Sequence, residues 1–159
     1  MRKGYNIPIW SIFIVIIIAL DQLTKYMIVK SLEIGDSVKV IKNLLYITSH
    51  RNEGAAWGIL QGKMWLFYIV TIVVLVILVM FFKSEGYGKP LIQFGLSLLI
   101  AGSIGNFIDR LFRSEVVDFI DTYIFGYNFP IFNVADAALT IGVIVLIIVI
   151  LFEGKEEKA

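Results

Sequence analysis

Asp21, Lys25, Asp109, Arg110, Asp118 and Asp136 stand inside or at the edges of long apolar runs. An ionisable group placed there costs about 2.5–3.5 kcal/mol on insertion scales, so it faces a partner or a wet cavity and marks function by default. Asp118 lies within Val116-Val117-Asp118-Phe119-Ile120, and Asp136 falls in the first turns of the last apolar run. The stretch between them passes through Pro130, where the chain can fold back and bring the two acids together at the lip of a bundle. Two carboxyls in one low-dielectric site cannot both ionise readily, so such a pair retains one proton near neutral pH. The ionised member can take a proton from water while the protonated member donates to the carbonyl oxygen of a peptide bond, and no covalent intermediate is needed.

Each residue also has a plainer reading. Asp21 and Lys25 are spaced i,i+4 with the acid first, the favoured order for a helical ion pair, and either hold a bundle together or do chemistry. At 100° per residue, Gly102, Asn106 and Asp109 fall within about 60° of one another, flanked by Gly105 and Arg110. Such a small-polar stripe is equally helix-to-helix glue. Asn133, Asp136, Ala137 and Thr140 share one face of the last helix, where Asp136 alone reads equally as a cap.

Composition removes most rivals. The chain has 159 residues, no Cys and one His, with 58% apolar and only 17% charged residues. Without Cys there is no thiolate nucleophile, disulfide framework or iron–sulfur cluster, and one His cannot assemble the usual zinc sites, so neither metal nor cofactor is expected. A net charge of +1 speaks against a nucleic-acid partner. A Ser–Lys pair using Lys25 stays open, and His50, beside Arg51, reads as a loop residue.

The elements that must position these groups are membrane spans. Uncharged or nearly uncharged runs predict helices over about 7–27, 64–82, 90–108 and 132–152, each long enough to cross a bilayer. The expected fold is an all-α membrane protein, one domain over residues 1–159, with a small β-containing extracytoplasmic subdomain in the first loop. The extracytoplasmic loops are expected at about 28–63 and 109–131. Ser37–Ile41 and Leu44–Thr48 suit two short strands. No small-x-small cleavage site follows the first run, which reads as a retained helix. Lys and Arg are spread over both sides, so charge bias alone leaves orientation open. Arg2 and Lys3 favour a cytoplasmic N-terminus, and an even number of crossings then puts both termini in the cytoplasm.

Five ordered blocks resemble the signal peptidase II family, the bacterial lipoprotein signal peptidases. They are Asp21-Gln22-Leu23-Thr24-Lys25, Asn52-Glu53-Gly54-Ala55-Ala56-Trp57-Gly58, Gly105-Asn106-Phe107-Ile108-Asp109-Arg110, Val116-Val117-Asp118-Phe119 and Phe132-Asn133-Val134-Ala135-Asp136. The resemblance implies an intramembrane aspartic endopeptidase of the bacterial cell membrane with Asp118 and Asp136 as catalytic residues. It implies that Asp21, Lys25, Asn52, Gly54, Asn106, Asp109, Arg110 and Asn133 line or brace the site, and that Trp57 is an interfacial anchor or lid tip. The implied partners are membrane lipid, a diacylglyceryl prolipoprotein cut on the N-terminal side of its lipidated cysteine, and globomycin-type peptide inhibitors. A proton-coupled membrane carrier built on the same carboxyls is the rival from another class, and a noncatalytic membrane scaffold a third.

Overall fold

The computed structural model describes residues 4–54 and 63–156. Four helices are long and apolar enough to cross a membrane: α1 (Ile7–Ser31), α2 (Met64–Glu85), α3 (Pro90–Arg113) and α4 (Val134–Glu156, with its apolar span ending at Phe152). All four run past the bounds expected from apolar length, α4 reaching Glu156 against 152. α1 continues to Ser31, α2 to Glu85, and α3 to Arg113, so Asp109 and Arg110 sit inside a helix rather than in a loop. The physical reason is that Asp109 has a buried cation to pair with, and its charge therefore does not end the helix.

α3 is the central element and packs against each of the other three helices. It buries Ile92, Leu96, Leu98, Ile100 and Ala101, whereas α2 has no buried residue and α1 buries only Asp21 and Lys25. The outer helices thus turn Ile, Val and Leu outward, the arrangement expected where lipid rather than water is the solvent. Close approach depends on missing side chains. A Cβ at Gly102 would lie 2.5 Å from the Ala135 carbonyl oxygen, so only Gly lets α4 start this close to α3. At the other end Gln93, fully buried, joins the bundle to the chain entering it: its amide donates to the Gly4 and Gly86 carbonyls and accepts from the Asn6 amide and the Trp10 indole.

Both long connections contribute to one four-stranded sheet of order β1-β2-β3-β4: β1 (Ser37–Ile41), β2 (Leu45–Asn52), β3 (Val116–Ile124) and β4 (Tyr127–Asn128). The first two strands fall where the sequence pattern puts them, with β2 running on to Asn52. The expectation of a β layer confined to the first loop is widened, because β3 and β4 come from the third loop and pair with β2 and β3, all antiparallel. Ser114, left-handed at φ 60°, caps α3 and turns the chain into β3. Phe125 and Gly126, at φ 51° and 81°, make the tight β3–β4 hairpin, the two positive φ angles matching the twist of the strands. The pairing Ile47↔Ile120 is followed by His50↔Asp118, so β2 carries one extra residue there, a bulge beside the polar site.

Candidate active site

Construction starts at Lys25, whose side chain is fully buried. Its ammonium lies 2.8 Å from Asp21 Oδ2, 3.0 Å from Asp109 Oδ2 and 3.1 Å from Asn106 Oδ1. Three protons have three acceptors, which leaves this amine no lone pair to act as a base and removes the physical ground for the Ser–Lys alternative. Asp21 and Asp109 reach onward from this knot. Asp21 Oδ1 accepts the Ala135 backbone N–H at 2.9 Å, fixing the first turn of α4, and Asp109 Oδ2 accepts the Val117 N–H at 3.2 Å, fixing the start of β3. One buried ion cluster therefore sets the positions of the two segments that carry Asp136 and Asp118.

Asn133 joins those segments. Its backbone N–H donates to Asp136 Oδ2 (3.2 Å), and its Oδ1 accepts the Asp136 N–H (2.9 Å), a reciprocal capping box opening α4. Its Nδ2 lies 2.7 Å from Asp118 Oδ1 and 3.1 Å from Asn106 Oδ1. Asn106 Nδ2 donates to Asp136 Oδ1 at 2.7 Å, and Asn52 Nδ2 to Asp118 Oδ2 at 3.1 Å, while Asn52 Oδ1 takes the Gly54 N–H. The structure thus brings Asp118 and Asp136 to one place, each held by two donors, with Asn133 touching both. Burial and the nearby Asp136 charge raise Asp118 to about 7, against the opposing pull of its Asn52 and Asn133 hydrogen bonds and the Lys25 charge.

Both acids line a cavity of about 1150 Å³ that also reaches Val70, Thr71 and Val74 of α2 and Leu139, Thr140 and Ile141 of α4. Arg110 lines it as well. Its guanidinium lies 4.6 Å from the Phe67 ring centre, its Nη2 donates to the Gly54 carbonyl at 3.4 Å, and its Nε is buried with no hydrogen-bond partner among the described residues.

All the residues expected to brace the site (Asp21, Lys25, Asn52, Gly54, Asn106, Asp109, Arg110 and Asn133) fall in this network or line the cavity. Trp57 lies outside the described residues. His50 is not in a loop: it sits on β2 directly opposite Asp118 and borders the cavity. Gln22 was missed by sequence reasoning. Its Nε2 bonds Asp21, the Gly105 carbonyl and Asp109, tying α1 to α3, and its place beside Asp21 was the available signal.

A four-span bundle with carboxyls buried around a cavity between helices defines an integral membrane protein with the polar apparatus of an enzyme. A family model described as Signal peptidase (SPase) II matches residues 13–152. A lipoprotein signal peptidase of Staphylococcus carnosus (strain TM300) is 56% identical over 158 residues, covering 99% of each chain. Two solved structures described as bacterial membrane enzymes, obtained by the in meso method, are similar throughout. The one at 2.3 Å resolution has TM-score 0.94 and 53% identity, covering 98% of this chain and 95% of the other. The one at 1.9 Å has TM-score 0.89 and 55% identity, covering 95% and 97%. The chain belongs to the signal peptidase II family.

Proposed function

We propose that this peptidase is an aspartic endopeptidase of the bacterial cell membrane that removes signal peptides from diacylglyceryl-modified prolipoproteins, cutting on the N-terminal side of the lipidated cysteine. The observation that carries the reading is the meeting of Asp118 and Asp136 at one cavity, bridged by Asn133. A water between the two carboxyls loses a proton to the ionised one as its oxygen attacks the scissile carbonyl carbon, and the other carboxyl donates its proton to the carbonyl oxygen. Collapse of the resulting gem-diol returns one hydroxyl proton to a carboxylate and delivers a proton to the departing amine, so the pair ends with the single proton it began with. The Nε–H of Arg110, without a partner among the described residues, would hold a substrate carbonyl in the same cavity. Asn52, Asn106 and Asn133 position the acids, and Asp21, Lys25 and Asp109 brace the segments that carry them.

The packing supports access from lipid. Residues of α2 and α4, each packed on α3, line the cavity, and a helical, lipid-anchored substrate that enters between these helices reaches the carboxyls sideways while its acyl chains stay among lipid tails. Globomycin-type peptides would occupy the same space. Both termini are assigned to the cytoplasm and the sheet and cavity to the extracytoplasmic lip, consistent with Arg2 and Lys3 ahead of the first span. The carrier reading needs polar groups through the whole depth of the bundle, whereas α3 buries Leu98, Ile100 and Ala101 between its two polar ends. The test is a purified-enzyme assay on a diacylglyceryl prolipoprotein beside its unlipidated control, with product masses read directly. Cleavage before the cysteine of the lipidated form alone supports the proposal, and proton transport by reconstituted vesicles without cleavage of either form would replace it by the carrier.

A further inference from the structure

A second cavity, of about 690 Å³, lies in the β layer, lined by Ser37, Asn43, Tyr46, Asp121, Tyr123 and Gly126. Asp121 is 7% exposed. Its Oδ2 accepts the Thr48 hydroxyl at 2.8 Å, and that hydroxyl lies 2.8 Å from Ser37 Oγ. Its Oδ1 is buried and has no hydrogen-bond partner among the described residues. An orphaned carboxylate oxygen is costly unless something donates to it, and here the residue borders a polar cavity. The Tyr46 and Tyr123 rings on the same wall meet edge to face at 5.5 Å, leaving aromatic faces beside the acid. One carboxylate among hydroxyls is too thin a set for a divalent cation, but carboxylate, hydroxyl and ring face together suit an ammonium group.

This site is not the catalytic one. Asp121 stands three positions after Asp118 along β3, so their side chains leave opposite faces of the strand about 10 Å apart. The β3–β4 hairpin borders both cavities: Asn128 lines the catalytic one and donates to the hydroxyl of Tyr123, which lines the second. β4 is only two residues long, so a polypeptide leaving the catalytic cavity has a short edge to cross.

We infer that the second cavity receives the ammonium of a lysine in the polypeptide that follows the scissile bond, an arrangement that would make it a specificity subsite on the released side of the substrate. The inference rests on the peptidase reading above. Its test compares two diacylglyceryl prolipoproteins that differ only in carrying lysine or norleucine three to six residues beyond the cysteine, with the full-length enzyme in micelles free of amine-bearing lipid. The expected result is a KM about ten-fold lower for the lysine substrate, the ratio a charge-assisted hydrogen bond supplies. That ratio should fall toward one in Asp121→Asn, shrink in Tyr123→Phe, and shrink with rising salt. Equal KM values in the wild type overturn the subsite and leave the peptidase standing, as does an Asp121→Asn enzyme that loses activity on both substrates alike and keeps the ratio. Equal KM values in amine-free micelles, together with stimulation by added amine-bearing lipid that Asp121→Asn abolishes, assign the cavity to a lipid headgroup instead and overturn the lysine assignment. Failure to cleave either substrate overturns the peptidase reading and this one with it.

Discussion

Replacing Lys25 with methionine keeps most of the side-chain volume and removes one charge from between Asp21 and Asp109. In the native protein the ammonium is 2.8 and 3.0 Å from those carboxylates, and all three groups are at most 1% exposed. Removing one member of a buried ion cluster leaves charge unpaired in low dielectric, which costs about 3–5 kcal/mol. With about 2–4 °C of melting temperature per kcal/mol for a chain of this size, Lys25→Met should melt about 6–20 °C below the wild type in the same detergent. Part of the loss should return in Lys25→Met/Asp109→Asn, because one of the stranded carboxylates is then gone. The assay is a thermal melt followed by tryptophan fluorescence, with turnover measured on the protein that remains folded well below the transition. A wild-type melting temperature with turnover abolished would refute the reasoning, since it would make Lys25 a reacting base and not the pin of the bundle.

Three further outcomes follow from the same geometry. Asp118 holds its proton up to about 7, against 3.8 for an ordinary aspartate, so between about pH 4 and 7 the native state binds a proton that the unfolded chain has released. Stability should therefore fall as pH rises through that window: the enzyme should melt lower at about pH 8 than at about pH 5. Asp118→Asn should reduce the difference, and an unchanged difference in that variant would contradict the cause assigned. Turnover should likewise decline above about pH 7 as the pair loses its last proton, with apparent pKa values that belong to the pair. Gly102→Ala, whose Cβ would stand 2.5 Å from the Ala135 carbonyl and 2.8 Å from Leu139, should cost about 1–3 kcal/mol by overpacking. Because it pushes on the first turn of α4, it should also slow turnover, and an unchanged melt would show that α4 can step aside.

Much of this was legible in the chain because lipid imposes hard rules. Spans were readable from apolar length, and charges within them were worth following because each had to have a partner. What stayed hidden depended on contacts between distant segments. Asp109 and Arg110 looked like the end of a span, since nothing local says that Lys25 waits on α1 to neutralise the acid. β3 escaped because Asp118 and Asp121 fall three apart, out of step with strand alternation: one acid lines the larger cavity and the other leaves the opposite face. The positive φ at Phe125 was unreadable in a bulky residue, although Gly126 beside it was a usable turn signal. His50 read as a loop residue because the bulge that sets it opposite Asp118 is a property of the pairing and not of either strand alone. Asn133 was seen as one member of a polar face, but its double duty as helix cap and bridge between two acids needs the fold to bring β3 alongside.

The central claim is that Asp118 and Asp136 together activate the water that cuts the substrate. It is tested most directly by turnover of a diacylglyceryl prolipoprotein with purified Asp118→Asn and Asp136→Asn enzymes, each shown by its melt to be folded. Both single variants should insert, fold and leave the precursor uncut. Substantial cleavage by either folded variant would contradict the account.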